Sequence, residues 1–394
     1  MTAWLAVVLM LLLAAAPTAP TPPTAAGPET SSSGGAAGRT SLPPLPAEPF
    51  TPLSARAAVA AMTPGINIGN TLENTTHWET GWGNPPITRE YVQTLARLGF
   101  KTVRLPVAWD TYADGGRITP QQFARVAEVV NWITDAGMFC VLNIHWDGGW
   151  IDSSWAEKFP TDRHRFSPEA EIKFRSYWSQ IATFFAGKSE RLVFEALNEE
   201  TNFEGEGSPE TAYATLLRVN QLFIDTVRAT GGHNAQRLLI VPGYKTDIQA
   251  TLHPLYRLPA DTVPDRLMLS IHYYTPWTFV GLERDAPWGR MRPTWGTEDD
   301  VAELTRLFDA LAEYARRQDI PVFLGEFAVA SRKERESTLR WTKAVLEAAV
   351  SRGMVPVLWD TGSAVSRRAP YAPDEELIGL FHAARPAESP SPRP

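Results

Sequence analysis

Eight short apolar runs, separated by longer stretches with helical patterning, constrain this chain more than any other feature. They are GINIG (65–69), TVRLPV (102–107), FCVLNIH (139–145), LVFEALN (192–198), LLIVPG (238–243), LMLSIHYY (267–274), VFLGEF (322–327) and VPVLWD (355–360). Runs this short, apolar at consecutive positions, read as strands buried on both faces, as a parallel sheet requires. Two of the intervening stretches carry clear helix signals. TPQQFARVAEVVNWITDAG sets Phe123, Val126, Val130 and Ile133 on one face, opens with Thr119 and Pro120 as cap and first-turn residues, and stops at Gly137. TEDDVAELTRLFDALAEYARRQ sets Val301, Leu304, Phe308 and Leu311 on one face, with acids in its first turn and Arg316 and Arg317 in its last.

Strand and helix alternating eight times predict an α/β fold, a (β/α)8 TIM barrel in a single catalytic domain over residues 51–384. The fifth unit is the weakest, because Pro254 interrupts DIQATLHPLYRLP. An open doubly wound sheet is the alternative, but GINIGNTLE lacks the glycine spacing of a dinucleotide turn.

Outside the barrel the chain has little to fold. The apolar stretch from Trp4 to Ala16, followed by small residues, matches a secretory signal peptide over residues 1–19, although no Lys or Arg precedes it. Residues 20–50 form a Pro/Thr/Ala/Ser-rich linker expected to be disordered, as is the tail 385–394. The expected location is therefore secreted, extracellular. A net charge of -7 without a Lys/Arg stripe leaves nothing to neutralise a phosphate backbone or anionic lipid, so no nucleic acid and no membrane partner is expected, and the protein is expected to be a monomer. Cys140 is the only cysteine, so no intramolecular disulfide forms, and its apolar run makes it a small core residue.

In a parallel barrel the C-terminal strand tips share one rim, where barrel enzymes assemble their active sites. Reading each tip gives Asn70, Arg104, His145, Asn198 with Glu199, Tyr244, His272 with Tyr274, Glu326, and Trp359 with Asp360. Two carboxylates facing each other across a barrel mouth are what hydrolysis of a glycosidic bond needs: one protonated to donate to the leaving oxygen, one ionised to attack or stabilise the reacting centre. Arg104 on the second strand is placed to hold Glu326 ionised, and Tyr274 to donate to the same carboxylate, which leaves Glu199 as the group with the raised pKa. Consecutive strand residues point to opposite faces, so Asn198 and Glu199 both reach a substrate only where the strand ends or bulges. Glu195 shares the parity of Glu199 and reads as a buried structural acid that needs a partner such as Arg104 or a histidine.

These residues resemble glycoside hydrolase family 5, the cellulase-type members of the retaining (β/α)8 clan, over about residues 60–383. NIGNTLE, ETGWGNPPITREYVQTLARLGFKTVRLPVAW, LNIHWDGGW, FEALNE, SIHYYTPWTF, FLGEF and VLWDTG are similar to its successive motifs, in order. The resemblance implies that Glu199 is the acid/base and Glu326 the nucleophile, that Arg104 and Tyr274 hold the nucleophile, and that Asn198 contacts the sugar 2-hydroxyl. It likewise implies that His145 and His272 surround the sugar at the cleavage point and that Trp359 is its stacking platform. Retention of configuration, endo-attack on β-1,4-linked glucans, and no metal or organic cofactor are also implied. Two positions depart from the family pattern: Glu200 follows the acid/base where proline is usual, and Ala328 follows GEF where glycine is common.

Fourteen tryptophans are many for this length, and Trp78, Trp82, Trp146, Trp150, Trp155, Trp277, Trp288 and Trp295 fall in segments after strands. Some of these pin loops; others can stack on the C–H face of a pyranose, and Trp82, Trp146, Trp150 and Trp277 are the best subsite candidates. Long loops after strands 3, 4 and 6 suggest a cleft, which favours internal attack on a β-linked polysaccharide. The leading expectation is a secreted retaining endo-β-1,4-glucanase, with an endo-mannanase or xyloglucanase on the same scaffold as the alternative and a non-catalytic polysaccharide-binding barrel as a remote one.

Overall fold

A computed structural model of the chain describes residues 42–152, 166–199, 203 and 207–384. The expected signal peptide, the linker up to residue 41, the C-terminal tail, Trp155 and Glu200 lie outside them. Eight strands close into one barrel in sequence order: β1 (Gly65–Asn67), β2 (Thr102–Leu105), β3 (Phe139–Asn143), β4 (Leu192–Glu195), β5 (Leu239–Pro242), β6 (Leu267–His272), β7 (Val322–Glu326) and β8 (Val355–Leu358). Every neighbouring pair is parallel, including β1 with β8, so the sheet has no free edge. The expected barrel is found strand for strand.

The helices among the described residues are α1 (Ala55–Met62), α2 (Arg89–Arg97), α3 (Pro120–Asp135), α4 (Pro168–Phe184), α5 (Pro209–Ala229), α6 (Ile248–Thr251), α7 (Trp277–Val280), α8 (Glu298–Gln318), α9 (Arg335–Ser351) and α10 (Glu375–Ala383). Their starts are chemically specified. Thr119 and Gln122 form a reciprocal capping box on α3, and Thr297 with Asp300 does the same on α8. The interrupted fifth unit is reduced to the single turn of α6 after a short 3-10 segment, as Pro254 requires.

One residue of the α8 stripe departs from expectation. Val301 is 43% exposed, while Leu304, Leu307, Phe308 and Leu311 are buried. At the first turn the inward place belongs to Asp300, which closes the capping box and receives Arg292 on both oxygens at 2.8 Å. A charged cap with its own arginine outcompetes the valine there.

The barrel is filled in two layers. Phe139, Val141, Val193, Ile240, Met268, Phe323, Val355 and Val357 form an apolar inner cluster, and α1 covers it from below with Ala55, Ala58 and Met62. On five strands the next inward position is polar: Asn67, Arg104, Asn143, Glu195 and Ser270, all fully buried. Cys140 instead belongs to the cluster between strands and helices, where burial pushes its thiol up and keeps it protonated.

The end of the expected disordered linker is ordered, which corrects the boundary at residue 50. Leu45 N–H donates to Phe184 at 2.9 Å and Glu48 N–H to Gly187 at 2.8 Å. Glu48 pairs with buried Lys188 and accepts from Ser189 N–H at 3.0 Å, and Phe50 stacks on His233 at 4.6 Å. A composition rule averages over this stretch and misses the few residues that pair. Glu48→Ala would leave the Lys188 ammonium, 2% exposed, with Asn131 as its remaining side-chain acceptor. Chemical denaturation should show a loss of about 1–2 kcal/mol with turnover unchanged.

Candidate active site

The chemistry-bearing side chains sit where the strand ladders stop. The β4 ladder ends at Glu195, paired with Asn143 and Ile240, so Asn198 and Glu199 lie beyond it and escape strict alternation. On β6 the register shifts between Ile271 and His272, and His272 pairs with Glu326 across from β7. The intervening Tyr273 turns into the core against Phe308 and Trp341, which leaves His272 and Tyr274 on the site side.

Arg104 is the hub. Its guanidinium is fully buried and donates through Nε to Glu195 at 2.6 Å, through Nη1 to Glu326 at 2.6 Å and Asn67 at 3.1 Å, and through Nη2 to Asn198 at 2.8 Å. Arginine only donates, so the atom of Asn198 that faces it is the amide oxygen, and the NH2 group is that side chain's donor toward a ligand hydroxyl. Glu195 also accepts from Asn143 at 3.0 Å and Ser270 at 2.8 Å, so it has the partner its burial demands.

Tyr274 OH donates to the other oxygen of Glu326 at 2.9 Å. His272 Nδ1 lies 2.7 Å from Glu199 and 3.7 Å from Glu326. Oxygens of both carboxylates and a ring nitrogen of His272 thus lie within 4.8 Å of one another. The close approach of His272 explains a glycine: a Cβ on Gly325 would meet His272 Nε2 and Ser270 Oγ at 3.1 Å each.

The electrostatics differ from expectation in one respect. Arg104 and Tyr274 both contact Glu326, yet burial pushes its carboxyl above the ordinary glutamate value. His272, Arg104 and the Tyr274 hydrogen bond pull it down, and the charge of Glu199 pushes it up. Sequence reasoning counted the partners and not the desolvation. Burial, with Glu326 and Glu199 facing it, also holds the Tyr274 phenol well above its usual value, so it stays a donor. Burial, Arg104 and His272 push His145 well below the imidazole range, so it is neutral.

His145 lies parallel to Trp359, 5.7 Å between ring centroids at 5°, and that indole occupies the space a Cβ on Gly69 would need, at 2.9 Å. The loops that carry the other aromatics are bolted down by polar side chains that grip backbone groups. Asn84 donates to Asn70 O at 3.2 Å and Thr361 O at 3.0 Å, fixing the loop with half-buried Trp82 to the ends of β1 and β8. Asp147 accepts from Asp110 N–H at 2.5 Å and Thr111 N–H at 3.0 Å, fixing the loop with half-buried Trp146; burial pushes it up to about 6. Lys333 donates to three carbonyls, of Thr278, Leu282 and Arg292, clamping the loop of Trp277, whose ring lies 6.2 Å from Tyr274.

Other sequence candidates are placed in supporting roles. Trp150 donates its indole N–H to Asp147 at 3.2 Å, and Lys173 lies over its ring at 4.9 Å, so it pins a loop. Tyr244 stacks on Tyr213 at 4.1 Å, and Asp360 accepts from the N–H groups of Gly362, Ser363 and Ala364. Sequence reading overlooked Asn67, Asn143 and Ser270; the signal was there, a polar residue at an inward position of an apolar strand. Glu199, His272 and Glu326 have donor types that suit a divalent cation. Arg104, 2.6 Å from Glu326, already brings positive charge to that cluster.

A closed parallel barrel with two carboxylates facing each other at its C-terminal rim, one gripped by arginine and tyrosine, has the layout of a glycoside hydrolase site. The comparisons agree. The family description Cellulase (glycosyl hydrolase family 5) matches residues 64–365. Endoglucanase A of Paenibacillus barcinonensis is 35% identical over 341 residues, covering 79% of this chain and 83% of that one. A broad-specificity endoglucanase from an uncultured bovine rumen ciliate superimposes with a TM-score of 0.73 at 31% identity, covering 84% and 98%. A Bacteroides ovatus xyloglucanase solved with an XXXG heptasaccharide gives 0.75 at 25% identity, covering 87% and 79%. The chain belongs to glycoside hydrolase family 5, the cellulases.

The Tyr274 bond yields a pH test. It favours the ionised form of Glu326, so Tyr274→Phe should raise that carboxyl's pKa further. A group that works as an anion loses function as pH falls through its pKa. The acidic limb of the kcat/KM profile should therefore move to higher pH; a limb that stays in place would refute the assignment.

Proposed function

We propose that this enzyme is a retaining endo-β-1,4-glucanase, with Glu326 as nucleophile and Glu199 as acid, then base. The observation that carries this reading is the carboxylate spacing. One oxygen of Glu199 and one of Glu326 lie within 4.8 Å of each other, which is nearer the retaining separation of about 5–5.5 Å than the roughly 6.5–9.5 Å of inverting enzymes.

In the first step a Glu326 oxygen attacks the anomeric carbon while the bond to the leaving oxygen breaks and Glu199 delivers its proton there. In the second, water loses a proton to Glu199, its oxygen bonds to the anomeric carbon, and Glu326 leaves as carboxylate. Two negative charges this close oppose each other, so the pair enters the cycle holding one proton. His272 against Glu199 and Arg104 against Glu326 bias which carboxyl carries it. The NH2 of Asn198 is the group suited to the 2-hydroxyl, Trp359 beside His145 to the sugar face, and Trp82, Trp146 and Trp277 to neighbouring sugars.

A second reading is a xyloglucanase, favoured by the likeness to the Bacteroides ovatus enzyme; a mannanase shares the same machinery. The leader-like residues 1–19 and the Pro-rich stretch after them support secretion, and a single compact barrel supports a monomer.

Reducing-sugar release should be measured on soluble β-1,4-glucan, mixed-linkage glucan, xyloglucan and β-1,4-mannan, with Glu326→Gln as the blank. Wild type should act on at least one glucan, and the variant should lose ~10³-fold or more. Azide then separates the two roles. With Glu199→Ala and an activated aryl glycoside it should give the β-glycosyl azide, whereas with Glu326→Ala it should give the α-azide. Swapped products would reverse the assignments, and an inverted natural product would end the double-displacement reading.

A further inference from the structure

Two carboxylates share one buried cation, and the reaction uses only one of them. Arg104 is fully buried, with Glu326 at Nη1 and Glu195 at Nε, each 2.6 Å away. Glu195 lies a layer below the cleft on β4, fully buried, and touches Arg104, Asn143 and Ser270, all protein groups.

On the double-displacement reading, on which this inference rests, Glu326 becomes an ester halfway through the cycle and its negative charge disappears. Arg104 keeps its charge throughout, because guanidinium does not deprotonate in this range. A buried cation that loses its only counter-ion is heavily penalised. Of the other groups around Glu326, His272, Tyr274 and Asn198 bring no lasting negative charge, His145 is neutral, and Glu199 gives up its proton in that same step while facing His272. Glu195 is the anion that stays on Arg104.

We propose that Glu195 is a positioning residue that acts through Arg104. It fixes the guanidinium plane through Nε, so that Nη1 meets Glu326 and Nη2 meets Asn198. It also keeps the arginine paired while the sugar is esterified to Glu326. The role therefore falls on one half of the cycle: Glu195 favours formation of the glycosyl-enzyme and does not assist its hydrolysis.

Glu195→Gln isolates the charge. Oε2 of Glu195 accepts from Arg104 and Asn143, a pair the glutamine carbonyl can satisfy, and Oε1 faces the Ser270 hydroxyl, which can rotate to accept from the new NH2. The probe is 2-deoxy-2-fluoro-β-cellobiosyl fluoride. A Glu326 oxygen bonds to the anomeric carbon as fluoride departs with its electron pair, and the trapped ester is later released by water, whose proton goes to Glu199.

Wild type should be labelled at Glu326. Glu195→Gln should be inactivated at least about tenfold more slowly, while its reactivation after removal of excess reagent is as fast as wild type or faster. Slowing of both steps alike would mean a merely structural role, and no change in either would mean no role; both overturn the proposal. A wild type not labelled at Glu326 would instead sink the underlying double-displacement reading, and the proposal with it. If Glu195→Gln does not fold, Arg104→Met/Glu195→Gln is compared with Arg104→Met by thermal denaturation. The double variant should melt higher, because it removes an orphaned buried carboxylate; a lower melting temperature overturns the proposal.

Discussion

A guanidinium buried inside a barrel obliges everything around it. Hydrating Arg104 is impossible where it sits, so its donors must be met by protein, and they are met from four directions: Asn67 on β1, Glu195 on β4, Asn198 just beyond β4, and Glu326 on β7. Asn67 in turn donates to Gly325 O at 2.9 Å and Leu358 O at 3.1 Å, which ties β1 to β7 and β8. The polar layer is thus a girdle as well as an active-site floor. Losing Arg104 would leave Glu195 and Glu326 without their shared cation, and losing any one of its partners would leave a buried donor unmet.

The apolar layer beneath makes that girdle possible. Phe139, Val141, Val193, Ile240, Met268, Phe323, Val355 and Val357 fill the lower barrel, and α1 seals it, so the polar groups are confined to one depth. Low dielectric at that depth strengthens each ion pair and at the same time lifts Glu326 above the ordinary glutamate value. The same burial therefore positions the carboxylate and makes it more basic, a property that suits the nucleophile role proposed for it.

How far the sequence could be read depends on the range of the interaction. Strand identity follows from local apolar runs, and all eight were legible. The pairing of Arg104 with Glu326 was also legible, because barrel topology places strand tips on one rim whatever the loops do. Asn67, Asn143 and Ser270 escaped notice because each is an ordinary polar residue until its strand parity is combined with a buried charge next door. Val301 misled for a different reason. It has the right residue type, but a neighbour with a stronger claim took the place: Asp300 with Arg292 at the start of α8. Residues 42–50 were hidden by composition, since Glu48 and Phe50 supply specific contacts within a stretch whose average predicts none.

The same division explains why the reaction is easier to read than the polymer. The proposed acid, the proposed nucleophile and their supports are rooted in strand ends, where register fixes them to within a hydrogen bond. The aromatic rings proposed to meet distant sugars sit on loops held by side chains that cap backbone groups, among them Asn84 for the Trp82 loop, Asp147 for the Trp146 loop and Lys333 for the Trp277 loop. Such anchors grip carbonyls and N–H groups common to every residue, so the rings between them can be exchanged without loosening the loop or disturbing Arg104. Substrate choice can then drift while the charge network, in which every member depends on its neighbours, cannot.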